Sequence, residues 1–131
     1  MPIALDPKQT FDYVLKAERD LPAEQQTVFE LRGLTIAQET AIADAMMHGT
    51  AGSSDFGLRQ GTTQLMSLRF GLRGWRNFKN ADGVEVAFET QKGAPRHVTD
   101  ACLDYLSGPD RSEIANAITE RHSVTAEEGN S

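Results

Sequence analysis

Apolar and polar positions alternate in two stretches near the start of the chain. From Thr10 to Ala17, Phe11, Tyr13 and Leu15 recur at period two in a run rich in aromatic and β-branched residues, and this predicts a strand. The pattern returns from Thr27 to Arg32, with Thr27, Phe29 and Leu31 on one face. Between them Glu18 to Gln26 is polar, and Pro22 keeps Leu21 out of the helical region. Two alternating runs joined by a polar connection read as a β-hairpin.

The period then lengthens. Thr35, with Gln38 three residues on, forms a capping box for a helix carrying Ala41, Ile42, Ala45 and Met46, and Gly49 is its stop signal. Gly49 to Gly57 is rich in Gly and Ser and reads as a mobile loop; it lacks the Lys-Ser/Thr pair of a phosphate-binding loop. A second helix is expected from Thr62 to Arg73, with Leu65, Leu68 and Leu72 on one stripe. Gly74 ends it, and Trp75 and Phe78 then anchor the chain on the core. The Asn80-Ala81-Asp82-Gly83 turn leads into Val84, Val86 and Phe88, which alternate as a strand. Val98-Thr99-Asp100 opens a short helix broken at Gly108-Pro109, and a last helix is expected from Asp110 to His122.

These elements predict an α+β fold, a small antiparallel sheet (the N-terminal hairpin plus a later strand at 84–88) packed on three to four helices. Residues 1–9 read as an extended arm, 10–122 as one domain and 123–131 as a flexible acidic tail. The expected core is Phe11, Tyr13, Leu15, Phe29, Leu31, Ile42, Leu65, Leu68, Leu72, Trp75, Phe88, Leu103, Leu106, Ile114 and Ile118.

Composition narrows the function classes. At 131 residues, 39% apolar and 24% charged, the chain is of single-domain length with a globular balance. Its apolar runs are too short for a transmembrane helix, and its first residues lack the pattern of a secretory leader. The net charge of −6 opposes a nucleic-acid role. The charge is unevenly spread, because no acidic residue falls between Asp55 and Asp82, where Arg59, Arg69, Arg73, Arg76 and Lys79 lie. Such a basic middle either neutralises its acidic flanks within the fold or, through Arg69, Arg73 and Arg76 on one face, meets an acidic partner.

Catalytic and metal-binding patterns are not apparent. His48, His97 and His122 lie apart, without ligand spacing. Cys102, the single cysteine, sits on an amphipathic segment and reads as a small core residue. Ser53-Ser54-Asp55 lacks a nucleophile elbow, and Asp100 and Asp104 read as a solvated pair. A non-enzymatic protein, without cofactor or metal, is therefore expected. Met46, Met47 and Met66 offer an adaptable apolar surface for a protein partner.

Several segments carry a resemblance: Phe11-Asp12-Tyr13-Val14-Leu15, Thr27 to Arg32, the Leu34-Thr35…Glu39 helix start, Gly74 to Phe78, Asp82-Gly83 with Val86 to Glu89, and the Ile118 to Asn130 ending. In their order the chain resembles tailed-bacteriophage morphogenesis proteins of the tail assembly chaperone type. That resemblance implies binding of the tape measure protein without ATP or metal, in the host cytoplasm. Arg69, Arg73, Arg76, Met46 and Met47 are the candidate partner-binding residues. The alternatives are a virion component (capsid-decorating, neck or tail protein) and a small phage inhibitor of a host protein. Homo-oligomerisation is left open.

Overall fold

A computed structural model describes residues 8–49, 56–93 and 96–128, with side chains for 8–47, 61–93 and 96–120. Of the segments read as an extended arm (1–9), a Gly/Ser loop (49–57) and an acidic tail (123–131), residues 1–7, 50–55 and 129–131 lie outside the described residues. The elements are β1 (Thr10–Tyr13), β2 (Val28–Arg32), α1 (Ile36–Gly49), α2 (Phe56–Gly71), β3 (Leu72–Arg76), α3 (Asp100–Leu103) and α4 (Gly108–Glu128). The three strands form one antiparallel sheet in the order β1-β2-β3. The fold is α+β, with a small sheet packed on helices.

The sheet has one apolar and one polar face, as alternation demands. Phe11 lies opposite Leu31, Tyr13 opposite Phe29, and Phe29 opposite Trp75. These side chains meet Leu68 of α2 and Ile114 and Ile118 of α4, all fully buried. Burial of each such side chain contributes roughly 1.5–3 kcal/mol. Trp75 is 8% exposed. It stands edge-on to Phe29, Phe78 and Phe88 and donates from Nε1 to the Val86 carbonyl at 2.8 Å. The core anchor expected at this position is therefore present.

Local signals act as anticipated. Thr35 N donates to Gln38 Oε1 at 3.0 Å, and Gln38 N donates to Thr35 Oγ1 at 3.2 Å, closing the capping box of α1. Thr99 caps α3 by accepting from Cys102 N at 3.2 Å. Gly108-Pro109 separates α3 from α4 but also begins the second helix, two residues ahead of Asp110, and Ser107 Oγ accepts from Asp110 N. The backbone of α4 continues to Glu128, into the stretch read as a tail.

The third strand differs from expectation. It is Leu72–Arg76, whereas residues 84–88 make a single bridge, Glu85 to Lys79, outside the sheet. A bulge opposite Glu30 and Leu31 makes Arg73 an extra residue, so Leu72 and Trp75 both face the core although three positions apart. That spacing continues the helical stripe of Leu65, Leu68 and Leu72 and conceals the strand. After it, Asn77 adopts a left-handed φ of 59° and turns the chain away. Its Nδ2 donates to the carbonyls of Glu24 and Gln26, both at 3.0 Å. The Asp82-Gly83 turn does form, with Gly83 at φ 78°, and Val86 N bonds Phe78 O across it.

Leu65 is likewise not core, being 36% exposed. The buried line of α2 runs instead through Ser67, Leu68 and Gly71, towards α4. Val98, Leu34 and Cys102 complete the interior.

Gly71 joins α2 to β3 without a loop. A β-carbon there would meet Ile118 Cγ2 at 2.5 Å and the Arg32 carbonyl oxygen at 2.8 Å. The oxygen belongs to a strand backbone and cannot swing aside. Gly71→Ala should therefore destabilise the fold by about 1–3 kcal/mol, read as a lower urea midpoint with an unchanged slope.

Tyr13 ties β1 to α4 by donating to Glu113 Oε2 at 2.7 Å, beside a 2.8 Å bond from Lys16 N to the same oxygen. Burial, then the Glu113 hydrogen bond, pushes the Tyr13 phenol up to about 12. Burial pushes the Glu113 carboxyl up, but the bonds from Tyr13 and Lys16 outweigh it and hold the carboxyl below its usual range. The phenol thus contributes stability that is complete below its unfolded pKa of 10.0 and lost as pH rises through about 12. Glu113 contributes stability present above the unfolded carboxylate pKa and lost as pH falls through its folded value. Tyr13→Phe should flatten the alkaline decline in melting temperature, raise the Glu113 pKa in a carboxyl NMR titration and cost about 1 kcal/mol at neutral pH.

Candidate functional site

Arg69 in the last turn of α2 faces the start of α3 across an open depression of about 450 Å³, lined by Arg69, Gln91, His97, Val98, Thr99 and Asp100. Its wall is a ladder of bonds from Gln91 N to His97 O at 3.0 Å and Thr99 N to Glu89 O at 3.1 Å. Arg69 forks onto Asp100, with Nε to Oδ1 at 3.1 Å and Nη2 to Oδ2 at 2.9 Å. The Arg69 hydrogen bond holds the Asp100 carboxyl below its usual range; burial opposes this, and the charges of Arg69 and His97 add to it. Both Asp100 oxygens are thus engaged, and the Thr99 hydroxyl accepts the Cys102 amide. Cys102 is buried, with Sγ accepting from Glu89 N at 3.3 Å. The arrangement fixes charge and joins two elements; it does not present a free base beside a free nucleophile.

The three expected arginines do not share a face, because α2 ends at Gly71 and the later two stand on β3. Arg69 lines the depression. Arg73 occupies the bulge and donates from Nη1 to the Arg96 carbonyl at 3.1 Å, beside the same loop. Arg76 crosses the polar face of the sheet, reaching Glu30 Oε1 at 2.9 Å on β2 and Asp12 Oδ2 at 3.0 Å on β1. Gly74 gives Glu30 room, since a β-carbon there would collide with that carboxylate. The basic middle of the chain therefore neutralises its acidic flanks through Arg69 and Arg76. Arg59 lies outside the described side chains, as do His48, His122 and Ser53 to Asp55.

The two methionines separate as well. Met46 packs against the core and its Sδ accepts from the Thr63 hydroxyl at 2.9 Å. Met47 is 72% exposed, in line with Ile36, which is 76% exposed. Thr40 and Ala43 between them are exposed too, so the outer side of α1 carries a stripe about 130° around the helix from Ile42 and about 90° from Met46. Ile36 was not among the sequence candidates. Its signal was its place directly after the Thr35 cap, on a side of the helix away from Ile42.

Among the described residues no group of three or more His, Cys, Asp or Glu side chains is arranged to hold a metal ion, and no helix is long and apolar enough to cross a membrane. No protein-family model, curated protein or solved structure matches the chain.

Removal of Arg69 isolates the effect of the fork. The depressed Asp100 pKa gives stability present above the unfolded carboxylate value of about 3.9 and lost as pH falls through the folded value. Arg69→Ala should return the Asp100 carboxyl towards that value in a ¹³C titration. Because the pair is largely solvated, the stability cost at neutral pH should be only about 0.2–1 kcal/mol.

Proposed function

We propose that this chain is a non-enzymatic protein-binding module of bacteriophage assembly, acting as a tail assembly chaperone on the tape measure protein. The observation that carries the reading is the exposed line Ile36, Thr40, Ala43 and Met47 on the outer side of α1, with a large apolar side chain at each end. Eleven helical steps separate them, about 16 Å along the axis, enough to meet roughly three turns of an amphipathic client helix. Ile42 fastens α1 to the core from another side, so the stripe is not needed for folding. Met47 is unbranched and polarizable, which suits a surface that must accept successive apolar segments of one long helix. The client is the one implied by the resemblance of the segment order to tail assembly chaperone-type proteins.

Co-expression with the tape measure protein of the same morphogenesis cluster tests this reading. The wild-type chain should co-purify with the client and keep it soluble. Ile36→Asp and Met47→Asp should each weaken capture by about tenfold, while their melting temperatures stay within a few degrees of wild type. Quantitative mass spectrometry should find the chain in infected lysate and not in purified particles. A stoichiometric presence in particles, or a client that stays soluble without the chain, would overturn the assignment.

A further inference from the structure

The charge pairing described above leaves a remainder. On the polar face of the sheet the carboxylates of Asp12 and Glu30 are both taken by Arg76. Arg32, two residues beyond Glu30 on the same face of β2, is half-buried, and its Nε is sealed from solvent with no hydrogen-bond partner among the described residues. Arg73, on the neighbouring strand, stands at the bulge beside Leu31. It is half-buried as well, and one of its five donors is spent on the Arg96 carbonyl. Burial lowers the Arg73 pKa, and the charge of Arg32 lowers it further. Among the described residues neither Arg32 nor Arg73 is ion-paired, although the charge of Arg32 reaches Arg73.

This is an unusual use of cations in a chain with 19 Asp and Glu against 13 Lys and Arg. Carboxylates are abundant, and Arg69 and Arg76 each receive at least one. Two partly desolvated like charges raise the energy of the fold unless something negative joins them. Guanidinium groups tolerate such desolvation better than ammonium groups, and their forked donors match a carboxylate or phosphate. The bulge supplies the means, because an extra residue re-aims a side chain that regular pairing would leave elsewhere.

We propose that Arg32 and Arg73 form an oxyanion-binding site at the bulged end of the β2–β3 ladder, taking one carboxylate or phosphate group between their guanidinium forks. The accessible nitrogens are the terminal ones, the buried Arg32 Nε serving to fix the orientation of its group. The site is separate from the α1 stripe and does not depend on the chaperone reading.

The test uses the full-length chain and the Arg Nε–H resonances in ¹H–¹⁵N spectra, at constant ionic strength set with chloride. Inorganic phosphate is one probe and a short Glu-rich peptide the other. Arg32 and Arg73 should move together and saturably with at least one probe, giving one dissociation constant, while Arg19 and Arg76 stay still. Saturation by phosphate alone identifies a phosphate ligand; saturation by the peptide identifies a carboxylate from an acidic partner. Arg32→Gln and Arg73→Gln should each weaken binding about tenfold or more, and Arg19→Gln should leave it unchanged. Because each substitution also relieves repulsion, both variants should melt no lower than wild type, which certifies their fold. The proposal fails if neither probe saturates, or if the double variant Arg32→Gln/Arg73→Gln binds as tightly as wild type.

Discussion

The architecture rests on the absence of a side chain at Gly71. There α2 passes into β3 with no intervening loop, between Ile118 of α4 and the carbonyl oxygen of Arg32 on β2. Helix, strand and sheet converge on a space too small for a methyl group. Glycine therefore sets how closely α4 approaches the sheet, and with it the depth at which Phe29, Leu31, Leu68, Leu72, Ile114 and Ile118 are buried. Interiors packed at this density respond to single methyl groups, so the junction constrains the layers around it more than any one hydrophobic contact does.

The second organising element is the distribution of charge. An acidic chain with a basic middle segment folds so that this segment becomes the end of α2 and the strand that follows. Its arginines then reach carboxylates far away in sequence. Arg76 spans the polar face to Asp12 and Glu30, and Arg69 holds the first turn of α3. These pairs are solvated and individually weak, so their value lies in register and placement more than in stability. Arg32 and Arg73 stand outside that pattern, beside the bulge, and among the described residues neither is paired with a carboxylate.

For function, the geometry separates what composition had grouped. Met47 looks outward while Met46 is absorbed into packing, and Ile36 extends the exposed line along α1. A helix fastened by one side that exposes large apolar side chains on another has one means of meeting a second helix. The depression beside Arg69 has Arg69 and Asp100 committed to each other and the Thr99 hydroxyl to the Cys102 amide, which suits a structural joint. Exposed apolar side chains of this kind follow no fixed chemical motif, and so they leave little trace in residue patterns.

What the sequence determined by itself was whatever depends on neighbours a few residues apart. The alternation of Phe11, Tyr13, Phe29 and Leu31 specified two strands and their buried face. The Thr35 and Gln38 pair and the Thr99 hydroxyl marked helix starts, and Asp82-Gly83 marked a turn. Most of the core was legible for the same reason. The identity of β3 was not, because a bulge gives Leu72 and Trp75 the spacing of a helix, and only pairing with β2 distinguishes the two. Nor were the partners of the arginines, since Arg76 meets carboxylates 46 and 64 positions away. Leu65 was displaced from the core by the direction from which α4 approaches α2. Capping and alternation are short-range and act before the chain is folded. Register, ion pairing and the burial of a helix margin depend on which distant segments arrive side by side, and tertiary packing alone decides that.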